Sequence, residues 1–186
     1  MGTTNNNYAA HFDMLGFGDA VLRDFDNAWR ALSSLRRAIE KAECVVPIPI
    51  ATGIPLVDKV RYKFFSDSVI LYTARDSPDD LLAMFVAAVT LFKTALAWCV
   101  PLRGGIAHGR FQMSVEEKNR LFMGVSLVNA CRIGEDAQWL GVVVEDEIAQ
   151  RSPEAVRMRY VIPWVVSGKD GTDRRRWVLR SRVRIT

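Results

Sequence analysis

The chain has 186 residues, a length that fits one domain, since domains usually run about 100–200 residues. Hydrophobic residues make up 49% of the chain and charged residues 25%, which excludes intrinsic disorder, collagen and coiled coil. The 25 Lys and Arg residues exceed the 21 Asp and Glu residues only slightly, so the charge suits a polyanionic small ligand as well as a nucleic acid.

The cysteines and the N-terminus predict a reduced, cytoplasmic protein. Cys44, Cys99 and Cys131 lie far apart and form no CxxC pair, so we expect buried, reduced thiols and neither a disulfide framework nor a structural zinc site. The first residues lack the charged and apolar regions of a signal peptide. We expect residues 1–7 to be a flexible tail and residues 8–186 to form a single domain.

The first half of the chain predicts a strand, a helix and a strand pair. The short apolar run of residues 8–13 predicts a buried strand, and helical periodicity follows over residues 19–43. Residues 45–55 hold three prolines and a glycine and predict a loop. Residues 57–73 predict two strands joined by a tight turn at residues 66–68.

Residues 81–100 could form a membrane-spanning helix by length and composition, because they are long enough to span a bilayer and carry a single charge, Lys93. An N-cap serine, Ser77, precedes them, followed by Pro78 and two carboxylates, which is typical of a helix start. We therefore expect a buried helix over residues 79–99 in a soluble domain, with no membrane partner.

The second half predicts strands at residues 102–113 and 141–144, short helices at residues 124–133 and 146–150, and a terminal hairpin formed by residues 158–166 and 176–185. The resulting order β-α-β-β-α-β predicts an α+β protein with a ferredoxin-like antiparallel sheet and helices on one face. The other face must then be covered by extra elements or by a partner chain.

Two aspartates are the first candidates for chemistry. Asp13 ends a hydrophobic strand ahead of a turn containing Gly16 and Gly18, and such a turn offers backbone N–H groups to phosphate. Asp67 lies at the tip of the strand pair, which neighbours the first strand in a ferredoxin-like sheet. Two carboxylates placed there can share one or two divalent ions.

Four segments, in order, resemble motifs of the class III nucleotidyl cyclases. They are residues 11–17 (HFDMLGF, like FxDxxGF), 63–67 (KFFSD, like KxxGD), 102–109 (LRGGIAHG, like LRxGIxxG) and 122–132 (FMGVSLVNACR, like xWGDxVNxAxR). The resemblance implies the class III cyclase catalytic domain. It also implies a reaction in which the 3′-hydroxyl of a nucleoside triphosphate attacks its α-phosphate and expels diphosphate.

The same resemblance implies the roles of individual residues. Asp13 and Asp67 would hold the divalent metal, Mn²⁺ or Mg²⁺. The triphosphate would be wrapped by backbone contacts from Met14, Leu15, Gly16 and Phe17.

On the cationic side, Arg132 would stabilise charge on the α-phosphate, as cationic groups do in phosphoryl transfer, and Arg103 would contact phosphate or base or would only pack. The family places its sites between two chains, so we expect a homodimer with shared active sites, in which Lys63 and Arg132 face the partner's metal aspartates.

The chain departs from the purine cyclases at the positions that select the base. The catalytic asparagine would fall at Val128, and Asn129 substitutes only if the helix starts differently, because one residue turns a helix side chain by about 100°. The carboxylate that reads adenine would fall at Leu121, so Lys63 loses its acidic partner.

This pattern resembles the pyrimidine cyclases of the bacterial Pycsar antiphage systems. The branch implies cyclisation of UTP to cyclic UMP, a second messenger, with CTP as the alternative. Lys63 favours UTP because it is a donor only and uracil offers two carbonyl acceptors against one in cytosine. Tyr62 is a further candidate substrate contact, although strand alternation puts it on the face opposite Lys63.

Two other classes stay open. The loss of the asparagine at position 128 favours a degenerate cyclase fold that binds nucleotide, or only dimerises, without turnover. The arginines of the C-terminal strand, Arg174 to Arg176, Arg180, Arg182 and Arg184, would suit a nucleic-acid binder. Their alternation is more typical of the solvent face of an edge strand, and we expect no nucleic-acid partner.

Overall fold

The computed structural model describes residues 3–43, 59–114 and 121–180. The elements in chain order are β1 (Thr3–Met14), α1 (Phe17–Arg23), α2 (Phe25–Glu43), β2 (Val60–Phe65), β3 (Ser68–Thr73), α3 (Pro78–Ala97), β4 (Leu102–Met113), β5 (Phe122–Gly124), α4 (Val125–Asp136), β6 (Gly141–Val144), α5 (Asp146–Arg151), α6 (Glu154–Tyr160), β7 (Val161–Ser167) and β8 (Asp173–Leu179).

The strands form one sheet in the order β2-β3-β1-β4-β6-β8-β7, with β5 paired to β4. The first four are antiparallel in the ferredoxin-like order β2-β3-β1-β4, and β6 adds to β4 in parallel. The expected α+β class and the expected C-terminal hairpin, β7–β8, are therefore confirmed.

Several predicted boundaries are wrong. The single helix expected over residues 19–43 is two helices, because Asp24 adopts an extended conformation (φ −153°) between them. The sequence reading missed β5 and α6, and α6 occupies the start of the segment expected as a strand. The predicted loop at residues 45–55 lies outside the described residues. Cys99 is exposed and not buried, Cys131 is half-buried, and both are free thiols.

Residues 3–7, expected as part of a flexible tail, belong to β1. They pair with β4 from Thr3 opposite Met113 to Asn7 opposite Gly109. Asn7 is 1% exposed; its Nδ2 donates to the Thr73 carbonyl at 3.0 Å, and its Oδ1 accepts from the Ser126 hydroxyl at 2.7 Å. A polar side chain satisfied in this way is stable in the interior, so Asn7 is buried while Thr4, Asn5 and Asn6 are exposed.

α3 is the one described helix that is long and apolar enough to cross a membrane. In the structure it packs in the core, with eleven buried residues from Asp80 to Ala95. Ser77, the N-cap, and Asp80 form a reciprocal capping box with Pro78 between them, and the sequence predicts a helix start here. The helix therefore has the environment expected for the core of a globular domain.

Helices cover both faces of the sheet. Phe12, Leu35 of α2 and Phe85 of α3 belong to the main core on one face. α4 packs on the other face against adjacent glycines of β4: a Cβ at Gly104 would meet Phe12, whereas a Cβ at Gly105 would meet α4. α4 thus supplies part of the cover that the sequence analysis required for the second face.

The approach of α4 to β4 generates a stability prediction. A Cβ at Gly105 would lie 2.3 Å from the Ala130 carbonyl oxygen and 2.5 Å from Ile133 Cγ1, so Gly105→Ala must push the helix away. We expect a loss of about 1–3 kcal/mol in the free energy of unfolding, measured by urea titration with circular dichroism. Gly18→Ala is the control, since no heavy atom lies within 4 Å of its Cβ position. Equal unfolding midpoints for the two variants would contradict this packing.

Candidate active site

Asp13 and Asp67 lie at the same edge of the sheet. Asp13 is opposite Ser68, the first residue of β3, and Asp67 occupies the turn before it. The Met14 N–H donates to the Asp67 carbonyl at 3.2 Å, which joins the end of β1 to the hairpin turn. Ser66, which replaces a glycine in the resembling motif, adopts the left-handed conformation (φ 53°) that a glycine favours. The turn keeps the glycine-like conformation despite the substitution.

Asp13 forms an ion pair with Arg103, its opposite residue on β4. Arg103 Nε and Nη2 donate to Asp13 Oδ2 at 3.2 and 3.0 Å. The two side chains are 20% and 22% exposed, so solvent partly screens the pair. The partner of Arg103 is not evident from the sequence, because the register of β1 against β4 decides which residues face each other.

His11 is a site residue that the sequence analysis did not single out. It lies two residues before Asp13 on the same strand face, between Ile70 and Gly105. Burial lowers the pKa of His11, and the nearby carboxylates of Asp13 and Glu135 oppose that shift. The two-residue spacing from Asp13 is the signal that identifies it.

The protein donors at this edge fit a hard divalent cation that keeps other ligands. The described residues contain no group of three or more His, Cys, Asp or Glu side chains arranged to hold a metal. Two aspartates are nevertheless the typical protein share of a Mg²⁺ site that also takes substrate phosphates and water.

The glycine turn is less available to a ligand than the sequence suggested. The Met14 N–H is bonded to Asp67, and the Leu15 N–H donates to the Pro101 carbonyl at 3.0 Å. Gly16 is in the left-handed conformation (φ 71°) at the N-cap of α1, and Phe17 begins that helix. Four backbone N–H groups are expected to contact the triphosphate. Those of Met14 and Leu15 already donate to carbonyl groups of the protein, whereas those of Gly16 and Phe17 take no part in these two hydrogen bonds.

Lys63 and Tyr62 face opposite sides of β2. Tyr62 packs against the main core with Phe64, whereas Lys63 is opposite Ile70 in the register and shares its face. This placement gives no support to Tyr62 as a substrate contact, because its ring belongs to the core face.

α4 carries a second group of candidate residues. Arg132, Asn129 and Val128 line an open cavity of about 520 Å³ together with Arg110 of β4. Neither aspartate, nor Lys63, nor the glycine turn lines this cavity.

Asn129 is held in place by a carboxylate. Its Nδ2 donates to Glu145 Oε1 at 3.2 Å, and Glu145 Oε2 accepts from the His108 N–H at 2.9 Å. Glu145 therefore ties α4 to β4 through the Asn129 amide. Val128, at the position of the family's asparagine, is 48% exposed.

No family model matches the sequence, and no curated protein matches it. The structure, in contrast, is similar to solved cyclase domains. The guanylyl cyclase Cya2 has a TM-score of 0.67 at 12% identity, covering 99% of this chain and 96% of that one. The dimeric guanylyl cyclase domain of RhoGC from Blastocladiella emersonii has a TM-score of 0.66 at 13% identity, covering 96% and 99%. The adenylyl cyclase CyaB from P. aeruginosa has a TM-score of 0.63 at 12% identity, covering 100% and 99%. The chain therefore has the fold of the class III nucleotidyl cyclase domains.

Proposed function

We propose that the protein is a cytoplasmic nucleotidyl cyclase that converts UTP to 3′,5′-cyclic UMP and diphosphate. In that reaction the 3′-oxygen forms a bond to the α-phosphorus, the bond from that phosphorus to the bridging oxygen breaks, and the hydroxyl proton is released. The observation that carries the proposal is the meeting of Asp13 and Asp67 at one edge of a class III cyclase fold. The resemblance to the pyrimidine cyclases extends the proposal to a second messenger in antiphage defence.

Asp13 and Asp67 would hold Mn²⁺ or Mg²⁺. When bound, such an ion supplies positive charge that activates a hydroxyl and neutralises phosphate oxygens.

The residues around this edge would bind and orient the triphosphate. The N–H groups of Gly16 and Phe17 and the guanidinium of Arg103 are donors for phosphate oxygens. Arg103 already lies on Asp13, so the same side chain exchanges a carboxylate partner for a phosphate partner when substrate arrives. Arg132 would stabilise the charge that develops on the α-phosphate.

The division of roles between the two groups of residues supports a homodimer with shared sites. Arg132 and Asn129 line a cavity that excludes the aspartates of their own chain, so a second chain would bring the two halves together. Apolar side chains near both halves are exposed: Phe65, next to the Asp67 turn, by 79%, and Leu121 and Met123, before α4, by 77% and 70%. Burial of such a surface favours association.

Lys63 and Leu121 support the choice of base. Leu121 is apolar where an adenine reader is acidic, so the exocyclic amine of adenine would stay unpaired, at a cost of about 1–3 kcal/mol. Lys63 offers only donors, and uracil has two carbonyl acceptors against one in cytosine. Lys63 therefore favours UTP as the substrate, with CTP second.

A second candidate function is nucleotide binding without turnover on the same fold. Val128 stands at the position of the catalytic asparagine, and the Asn129 amide is engaged by Glu145. Turnover of any nucleoside triphosphate would exclude this alternative.

The direct test of the proposal is product analysis. Purified protein is incubated with each of the four nucleoside triphosphates and Mn²⁺, and the products are identified by mass spectrometry. We expect cyclic UMP to form fastest, and Asp67→Asn to abolish it while the exposed hairpin turn keeps its fold. Faster cyclisation of ATP or GTP would overturn the pyrimidine assignment, and full activity of Asp67→Asn would overturn the site.

The shared site is tested by complementation. Asp67→Asn and Arg132→Ala should each be inactive alone, because each damages both sites of its homodimer. A mixed dimer keeps one intact site, so mixing the two variants should restore partial activity, measured as cyclic UMP per mixed dimer. If heterodimers form, as shown by mass photometry of differently tagged chains, and no activity returns, the site is not shared.

The ion pair of Arg103 generates a prediction on metal binding. Removing the guanidinium in Arg103→Gln frees Asp13 Oδ2, so the affinity for Mn²⁺ without nucleotide should rise up to about fivefold. Turnover should fall, because a phosphate donor is lost. Electron paramagnetic resonance of free Mn²⁺ measures the affinity, with Arg30→Gln on α2 as a control of equal charge. A weaker or unchanged affinity for Mn²⁺ would show that Arg103 does not compete for the aspartate.

A further inference from the structure

A second cavity lies on the same sheet face as Asp13, toward the opposite end of β1. It has a volume of about 260 Å³, and its lining includes Asn5, Asn7, Arg61, Tyr72, Arg75 and Phe111. Asn7 lies six residues before Asp13 on β1, which places it about 20 Å away along the strand. The cavity is therefore separate from the proposed metal edge.

Two arginines give the cavity an uncompensated positive charge. Arg61 of β2 and Arg75, just after β3, are exposed, and neither forms an ion pair with a carboxylate of the described residues. The neighbouring acid, Asp76, directs its Oδ2 to His108 Nε2 at 3.0 Å. A guanidinium that is planar and weakly hydrated is suited to bidentate contact with phosphate.

The hydroxyl of Tyr72 is a poorly satisfied polar group at the floor of this cavity. Tyr72 is 3% exposed, and the partner that the described residues offer its hydroxyl is Met113 Sδ at 3.6 Å. A thioether is a weak acceptor, whereas buried polar groups normally have a full hydrogen-bond partner. A ligand oxygen in the cavity would supply one.

Two aromatic residues, Tyr72 and Phe111, also line the cavity. Tyr72 and Phe111 are stacked with ring centroids 5.3 Å apart and planes 23° apart, and both are buried. Asn5 lines the same cavity and adds an amide that can donate and accept hydrogen bonds. The volume lies below the usual range of about 300–1,000 Å³ for drug-sized ligands, so a small ligand is required.

We infer that this cavity is a binding site for a phosphate-bearing small molecule of mononucleotide size or less. Arg61 and Arg75 bind the phosphate oxygens, and the Tyr72 hydroxyl donates to the ligand in place of Met113. The cavity shares Phe111 with the α4 cavity, but Arg61, Arg75 and Tyr72 line this cavity and not that one. The inference therefore does not depend on the proposed catalytic activity.

Isothermal titration calorimetry in EDTA, with no metal, tests the inference. Inorganic phosphate and cyclic UMP are the two probes, and they distinguish recognition of phosphate alone from recognition of a nucleotide. The charge-removing variant is Arg61→Gln/Arg75→Gln, and its matched control is Arg30→Gln/Arg175→Gln, which removes two exposed arginines elsewhere. Tyr72→Phe removes the hydroxyl and keeps the ring.

We expect at least one probe to bind wild-type protein, the Arg61/Arg75 variant to lose at least tenfold in affinity, and the control to keep it. Tyr72→Phe should lose severalfold. Absence of saturable binding, equal affinities of the two double variants, or a loss that follows Arg103→Gln or Arg132→Ala instead would each overturn the site. Arg75→Gln alone repeats the test if the double variant does not fold. Cyclase activity is scored separately, so an inactive chain that binds phosphate here refutes only the proposed function.

Discussion

The pairing of β1 with β3 on one side and β4 on the other is the constraint on which the rest of the structure depends. It puts Asp13 beside Ser68 and opposite Arg103 at once. Because side chains alternate along a strand, a slip of one residue would turn Asp13 into the core and Phe12 out to the site face. Phe12, which is fully buried, resists that slip through its place in the main core.

The electrostatics of the site follow from the same register. Asp13 Oδ2 is already paired with the Arg103 guanidinium, so a cation that binds Asp13 must compete with Arg103 for that oxygen. Breaking the Arg103–Asp13 ion pair costs little free energy, because the pair is partly exposed and solvent screens it. If the site binds metal and a triphosphate as proposed, the two would bind together most favourably, because the phosphate would replace Asp13 as the partner of Arg103.

The sheet face covered by α4 connects the packing of this helix with the proposed dimer. The adjacent glycines Gly104 and Gly105 let α4 approach the backbone of β4 closely. α4 then places Arg132 and Asn129 in a cavity that the aspartates of the same chain do not line. Glu145 holds the Asn129 amide at the side of this helix. Exposed apolar residues near the start of α4 remain, which is consistent with a surface completed by a second copy.

The sequence alone predicted those structural elements and site residues that depend on a few neighbouring residues. The capping signals ahead of α3, the turn at Asp67 and the glycine turn after Asp13 each depend on a few neighbouring residues, and all three lie where the sequence predicts. The alternation along β2 likewise separated Lys63 from Tyr62.

Contacts between distant segments decided the features that the sequence did not predict. Residues 3–7 resemble a flexible tail in the sequence because their polar side chains carry no strand pattern. The hydrogen bonds of Asn7 to Thr73 and Ser126 make burial of that side chain favourable. The ion pair of Arg103 with Asp13 joins residues 90 positions apart. The cavity of Arg61 and Arg75 draws on four segments, which come together only when β1 lies between β3 and β4. Such contacts depend on the register and packing of distant segments, and no local pattern in the sequence encodes them.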